Sequence, residues 1–178
     1  MLNYSNLRSL ARKIPPGTPE AEALDRFEEH LVPLWVKTYH ARCRSAALSS
    51  VQLGAAVFLF DVEHERLVTA WAASRGPVHE RRDAGRMARF PKGAGRLYHR
   101  GHAIPHSMGG PLDLNLVPQL GAVNVGAFRE LERDAVAMPG ALYFTFWYYA
   151  RGRGQVPTSV DQGLLRPGTD FRVVNHPN

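Results

Sequence analysis

The sequence predicts a mixed α+β fold, on the strength of three observations. Apolar residues recur at helical spacing early in the chain, strand-length apolar runs follow, and residues 98–138 have the pattern of strand, loop, strand and helix. The 178 residues match the usual size of one domain. We therefore predict one domain over the whole chain, divided into an N-terminal arm at 1–17, a helical segment at 18–50 and a core at 51–178.

The first predicted element is a helix that begins near Thr18. A capping hydroxyl followed by a proline and two acidic residues is typical of a helix start. Leu24, Phe27 and Leu31 then recur at three- and four-residue steps, which gives the helix one apolar face. Pro33 lacks a backbone N–H, so we expect it to end or kink the helix.

The next predicted elements are strands. QLGAAVFLFDV (52–62) and HERLVTAW (64–71) are strand-length runs separated by a polar break, which predicts a hairpin. Residues 72–97 are rich in Gly, Arg and Pro and predict a long loop, a kind of segment that is often functional. ALYFTFWYYA (141–150) predicts an aromatic strand, and GLLRPG (163–168) predicts the turn of a last hairpin.

Between these strands lie YHRGHAIPHS, LDLNLVPQ and NVGAFRELERDAVAM. The first two predict short strands joined by a loop, and the third predicts a helix. Asn124 stands where the N-cap of that helix belongs. Four apolar residues of the third stretch mark one helical face: Val125, Phe128, Leu131 and Ala135.

The charge balance favours a polyanionic partner. The chain has 22 Lys and Arg against 16 Asp and Glu, a net charge of +6. Within 75–100 only Glu80 and Asp83 are acidic, whereas eight residues are cationic: Arg75, Arg81, Arg82, Arg86, Arg89, Lys92, Arg96 and Arg100. A solvated basic loop would fit this pattern. We favour a phosphate-binding rim, because the stretch leads directly into a cluster of histidines.

Other features narrow the class of protein. The single cysteine, Cys43, rules out an internal disulfide and any zinc site with two or more cysteines, and we expect it to be a small buried residue. No apolar run is long enough to span a membrane, so we expect no membrane partner. The first residues, MLNYSNLRSLARK, lack the apolar core of a signal peptide. We expect a cytoplasmic protein, or one delivered into a target cell by a specialised secretion system.

The residues of the histidine region suit phosphodiester hydrolysis, which needs a base, a cation and donors that hold the phosphate. His102 can act as the base, since the ordinary pKa of imidazole is about 6.5. Asn115 and Asn124 offer the hard amide oxygens that suit Mg²⁺, and Glu132 can bind a water of the metal. Arg100 can clamp a phosphate. Taken singly, each residue type has a commoner structural role.

Three stretches together resemble one family. RGH (100–102), NLVPQ (115–119) and NVGAFRELE (124–132) match, in type, order and approximate spacing, the active-site region of the DNA/RNA non-specific endonucleases with a ββα-metal finger. That family carries DRGH, then Asn-x-x-Pro-Gln, then Asn-x-Gly-x-aromatic-x-x-Leu-Glu. The C-terminal half is also loosely similar to nuclease domains of bacterial polymorphic toxins, which are restrained by an immunity protein.

The resemblance implies a ββα-metal finger packed on an antiparallel sheet. It implies an endonuclease that cleaves DNA, with RNA as a second substrate, using Mg²⁺ or else Mn²⁺ or Ca²⁺. By position, His102 is the general base, Asn124 the metal ligand and Glu132 the acid that binds a metal water. Asn115 and Arg100 occupy supporting positions near the base and the phosphate.

One position departs from the family pattern. His99 stands where the family has Asp, which favours an alternative: a nucleic-acid-binding homologue that has lost catalysis. We prefer an active enzyme because the base, the metal Asn and the Glu all remain. We expect His99, with Arg82 or Arg86, to contact substrate, and His106 to be a loop histidine near it. A third possibility is an interaction domain whose basic face binds an acidic protein such as an immunity protein.

Overall fold

The computed structural model describes residues 2–44, 47–79, 83, 85 and 94–178. The elements are, in chain order, α1 (Leu7–Lys13), α2 (Glu20–Cys43), β1 (Leu48–Leu53), β2 (Ala56–Asp61), β3 (Arg66–Ala73), β4 (Tyr98–His102), a 3-10 turn (His106–Met108), β5 (Leu116–Leu120), α3 (Gly121–Val125), α4 (Phe128–Val136), β6 (Leu142–Tyr148), β7 (Ser159–Leu165) and β8 (Phe171–Pro177). The described strands form an antiparallel sheet in the order β1-β2-β3-β6-β7-β8 and a separate β4–β5 pair. The predicted α+β class is confirmed.

Helix α2 is the main element packed on the sheet, and it does not end at Pro33. Its buried face repeats every fourth residue: Phe27, Leu31, Trp35 and Tyr39. Trp35 packs on the sheet with its ring 5.2 Å from that of Phe144. Burying two more aromatic side chains, each worth about 1.5–3 kcal/mol, offsets a proline cost of about 3 kcal/mol. No helix among the described residues, α2 included, is long and apolar enough to cross a membrane.

The N-terminal residues differ from the arm expected over 1–17. They contain α1, whose Leu7 and Leu10 are buried in the core. Thr18 does not cap α2: its hydroxyl donates a hydrogen bond to the Pro15 carbonyl over 2.7 Å, and a proline occupies the N-cap. Cys43, at the end of α2, is buried as expected.

The strands follow the predicted runs with one difference. Residues 52–62 do not form one strand, because Gly54, at φ 61°, makes a turn that divides the run between β1 and β2. The hairpin predicted between this run and 64–71 is confirmed as β2–β3. The aromatic strand is β6, and the last hairpin is β7–β8. In the predicted loop at 72–97, the described residues after Ala73 form no strand.

The predicted helix after β5 is broken into α3 and α4. The chain turns at Gly126, which has φ −106° and ψ −114°, so Asn124 lies within α3 and is not an N-cap. Val125 is 49% exposed and does not join the apolar face. The remaining predicted face residues are buried in the core: Phe128, Leu131 and Ala135.

A buried hydrogen-bond chain anchors α4 to the main sheet. The Gln162 amide donates to the Phe128 carbonyl over 2.9 Å and to the Tyr143 hydroxyl over 2.8 Å. The Gln162 carbonyl oxygen lies 2.9 Å from Nε2 of His176, which assigns the proton to that nitrogen. The Phe128 ring also stacks on Trp147, at 6.3 Å. The helix therefore has a fixed position relative to the sheet.

This anchor predicts a pH-dependent stability. Burial lowers the pKa of His176 below its ordinary value of about 6.5. The stability that neutral His176 contributes to the folded protein is complete above the ordinary pKa. It is lost as the pH falls through the lowered pKa of the folded state. We expect Tm to fall between pH 7.5 and 5, and to fall less in His176→Gln. Thermal unfolding followed by circular dichroism measures this. The exposed His30 gives the control: His30→Gln should keep the wild-type fall, and an equal fall in His176→Gln would contradict the assignment.

Candidate active site

Strands β4 and β5 with helices α3 and α4 form a β–β–α unit. The two strands pair antiparallel, with His102 opposite Leu116 and Arg100 opposite Pro118. Helix α3 packs on both strands, and α4 packs on β7 and on the 3-10 turn. Alternation along β4 places Arg100 and His102 on one face and His99 and its neighbouring glycine on the other. The unit thus offers one face of a hairpin to the two helices.

A small polar cavity lies between the hairpin and the helices. Its volume is about 70 Å³, and its lining is Arg100, His102, Pro105, His106, Ser107, Asn124, Arg129 and Glu132. Four of the residues predicted from the sequence therefore meet in one place: His102, Arg100, Asn124 and Glu132. Since a water takes about 30 Å³ of liquid volume, the cavity has room for a few small polar groups only.

Asn115 lies beside the cavity but does not line it. Its side chain is fully buried, and Oδ1 accepts a hydrogen bond from the Ile104 N–H over 2.6 Å. Its Nδ2 donates to the Ile104 carbonyl, also over 2.6 Å. The amide is therefore fully engaged with backbone and unsuited to holding a metal. Its role is to close the loop between β4 and β5, which agrees with a supporting position and not with a ligand.

The closed conformation of the loop between β4 and β5 also depends on Gly110. A Cβ at this position would overlap the Ile104 carbonyl oxygen and lie 2.6 Å from Nδ2 of Asn115. A larger residue would therefore separate Asn115 from Ile104, whose two hydrogen bonds we call the Asn115 clamp. The Gly110 N–H bonds to the Pro105 carbonyl over 3.1 Å. The loop consequently returns toward β4 and brings His106 to the cavity.

Two histidines face each other across this cavity. The rings of His102 and His106 are 6.0 Å apart and tilted by 44°, and both side chains are half-buried. Nδ1 of His106 is 3.4 Å from the Gly110 carbonyl. His106 was expected near substrate only as a loop residue, and it in fact lines the same cavity as the predicted base.

Arg129 is a lining residue that the sequence prediction missed. It precedes Glu132 by three residues on α4, so the two side chains lie on one face of the helix. That spacing was the available signal. The Glu132 carboxylate also acts on the core: burial raises the pKa of Tyr143 well above its ordinary value, and the charge of Glu132 raises it further. With Arg100, two guanidinium groups flank one carboxylate, which favours an anionic guest.

His99, the last predicted residue that the structure describes, lies apart from the cavity. His99 is exposed and packs on Gly121, where a Cβ would come 2.7 Å from Nε2 of the ring. It does not line the cavity. Arg82 and Arg86 lie outside the described residues, so their role stays a prediction.

The donors of the cavity suit a hard divalent cation. The Asn124 amide oxygen and the Glu132 carboxylate are oxygen ligands of the kind Mg²⁺ prefers. Among the described residues there is no group of three or more His, Cys, Asp or Glu side chains that could hold a metal ion. Mg²⁺ does not require one, since it keeps several waters and needs one or two protein ligands. The residues present therefore fit a magnesium centre with few protein ligands.

Two solved structures of NucA from Streptococcus agalactiae resemble the chain. The one with a magnesium ion bound matches at a TM-score of 0.51 and 15% identity, over 84% of this chain and 88% of that chain. The one with no metal bound matches at 0.50 and 15%, over 81% and 88%. At this identity the likeness shows the fold alone, which is similar to that of NucA. No protein-family model matches the sequence, and a search of curated proteins finds no match either.

The Asn115 clamp gives a stability prediction. Asn115→Ala would leave the Ile104 N–H and carbonyl without their side-chain partner, and each unsatisfied buried group costs about 1–3 kcal/mol. We expect the free energy of unfolding in urea to fall by about 2–4 kcal/mol. The control is Asn6→Ala, an exposed asparagine without a side-chain cap bond, which should change it by less than about 0.5 kcal/mol. Equal effects of the two substitutions would refute the clamp.

Proposed function

We propose that the protein is a divalent-metal-dependent endonuclease that hydrolyses phosphodiester bonds in DNA, with RNA as a second substrate. The observation that carries the proposal is the meeting of His102, Asn124 and Glu132 at one small polar cavity. The nuclease-like fold and the resemblance of the three motif stretches support it. Each residue alone has a commoner structural role, but a base, hard oxygen donors and two arginines at one place match the needs of this reaction.

In the proposed reaction, the His102 imidazole takes a proton from a water as that water attacks the phosphorus. The bond between the water oxygen and phosphorus forms, the bond to the 3′ oxygen breaks, and the 3′ oxygen leaves with the electron pair. Arg100 and Arg129 hold the phosphate oxygens through charge-assisted hydrogen bonds. Asn124 would hold a divalent ion and Glu132 would bind one of its waters, and the ion would supply positive charge that stabilises the phosphate during the reaction.

The position of His99 weakens the alternative of a homologue that has lost catalysis. The residue that replaces the family's Asp points away from the cavity, so the change removes no lining group. The base and the oxygen donors remain in place. An active enzyme is therefore the better-supported proposal.

The biological setting is proposed on the loose likeness to toxin nuclease domains. A domain of that kind acts inside a target cell after delivery by a specialised secretion system, and an immunity protein restrains it in the producing cell. The net charge of +6 suits both a nucleic acid and an acidic inhibitor. Detection of nuclease activity, rather than of a protein partner, separates the enzyme from a pure interaction domain.

The direct test compares wild type with His102→Ala on plasmid DNA and on RNA, each with Mg²⁺ and with EDTA. We expect wild type to degrade the substrate only with the metal, and the substitution to reduce the rate by about 10²–10⁴-fold. His30→Ala, on the exposed side of α2, should keep the wild-type rate. Cleavage in EDTA, or an active His102→Ala, would refute the mechanism. A wild type inert with Mg²⁺, Mn²⁺ and Ca²⁺ would favour the binding homologue.

A further inference from the structure

A second, larger cavity adjoins the candidate active site. It forms an open groove of about 500 Å³ lined by Pro77, Ser107, Arg129, Arg133, Val136, Ala137 and Glu132. Ser107, Arg129 and Glu132 line the small cavity as well, so the two spaces adjoin each other. A guest that occupies both would contact these three side chains from either side.

Helix α4 forms one wall of the groove, and the segment after β3 with the 3-10 turn forms the other. Arg129, Arg133 and Val136 follow one another at four- and three-residue steps on α4, beside the face that is buried in the core, and Val136 itself packs partly against the core. The facing wall is held by a hydrogen bond of 2.7 Å from the Val78 N–H to the Ser107 carbonyl. That bond ties the segment after β3 to the loop that carries the cavity residues.

The charges of α4 are divided between its two sides. Arg172, on β8, bonds to Glu130 over 3.0 Å and to Asp134 over 3.3 Å, so one cation pairs with both acids on the side away from the groove. Arg129 and Arg133 form no ion pair with any residue that the structure describes. The groove side of the helix therefore carries two arginines and one carboxylate, that of Glu132, beside an apolar surface.

The size of a nucleotide indicates what can occupy the groove. A cavity of about 70 Å³ cannot hold a sugar and a base, so the nucleotide next to the reacting phosphate must lie in adjoining space. The groove offers apolar contact from Pro77, Val136 and Ala137, together with cations at its edge. Apolar contact suits the faces of a sugar and a base without selecting a particular base, and guanidinium groups suit phosphates.

We propose that this groove is the binding subsite for the nucleotide that flanks the cleaved phosphodiester, with Arg133 contacting its outer phosphate and Val136 and Ala137 contacting its sugar and base. The proposal rests on the nuclease function above. Arg133 lies outside the small cavity, so it acts in substrate binding and not in the chemical step.

The first experiment measures binding in EDTA, so that it does not depend on catalysis. A short fluorescent DNA duplex is titrated with wild type, Arg133→Ala and Ala137→Trp, and the anisotropy is followed. We expect both substitutions to raise Kd about 3–10-fold, and Arg133→Ala to lower the salt-dependence slope by about 0.9, the value for one phosphate contact. Arg151→Ala removes the same charge from an exposed loop and should change Kd less than twofold. Unchanged Kd in both groove variants would overturn the proposal.

The second experiment separates the subsite from the nuclease function. With Mg²⁺, the same variants are assayed on DNA and on bis(p-nitrophenyl) phosphate, a phosphodiester without nucleotides. We expect a higher KM on DNA and an unchanged rate on the small substrate, whereas a parallel loss on both would overturn the subsite. Wild type that binds DNA through Arg133 and Ala137 but cleaves neither substrate would refute the nuclease function and would confirm only that the groove contacts DNA. Matching thermal unfolding curves confirm that each variant is folded.

Discussion

The arrangement of the candidate active site depends on one buried amide. The Asn115 side chain satisfies both the N–H and the carbonyl of Ile104, two residues beyond His102, and so ties the end of β4 to the start of β5. Gly110 makes the tie possible, because a side chain at this position would overlap the Ile104 carbonyl and the Asn115 amide. With the loop closed, the 3-10 turn faces the hairpin and His106 meets His102 across the cavity. The β4–β5 pairing positions His102, and the tie positions the turn that carries His106.

The helix opposite the hairpin combines structural and chemical roles through its separate faces. One face of α4 is buried and is held to the sheet by Gln162. A second face carries two acids that pair with Arg172, and a third carries Arg129, Glu132 and Arg133 toward the cavity and the groove. Because the core and β8 fix the helix from two sides, the third face keeps its geometry without help from substrate. Preorganised positive charge of this kind favours binding of a phosphate without a preference for base.

Periodicity and motif order predicted most of the strands and the place of the site, and the errors have physical causes. Pro33 did not end α2, because aromatic burial beyond it outweighs one lost hydrogen bond. The break at Gly126 moved Asn124 from a cap into α3, which local capping rules do not foresee. The motif placed Asn115 near the base but could not show that backbone groups occupy its amide. Arg129 carries no motif of its own, so only the helix geometry reveals it.

We infer that the hairpin and the helices bring a base and a hard-metal ligand together in one site. Paramagnetic broadening by substoichiometric Mn²⁺ in ¹H–¹⁵N spectra tests it most directly, because it locates the metal without requiring turnover. We predict that signals of His102, Asn124 and Glu132 and their neighbours broaden first, and that Asn124→Ala removes this selectivity. Broadening centred elsewhere in the chain, or unaltered by Asn124→Ala, would contradict the account.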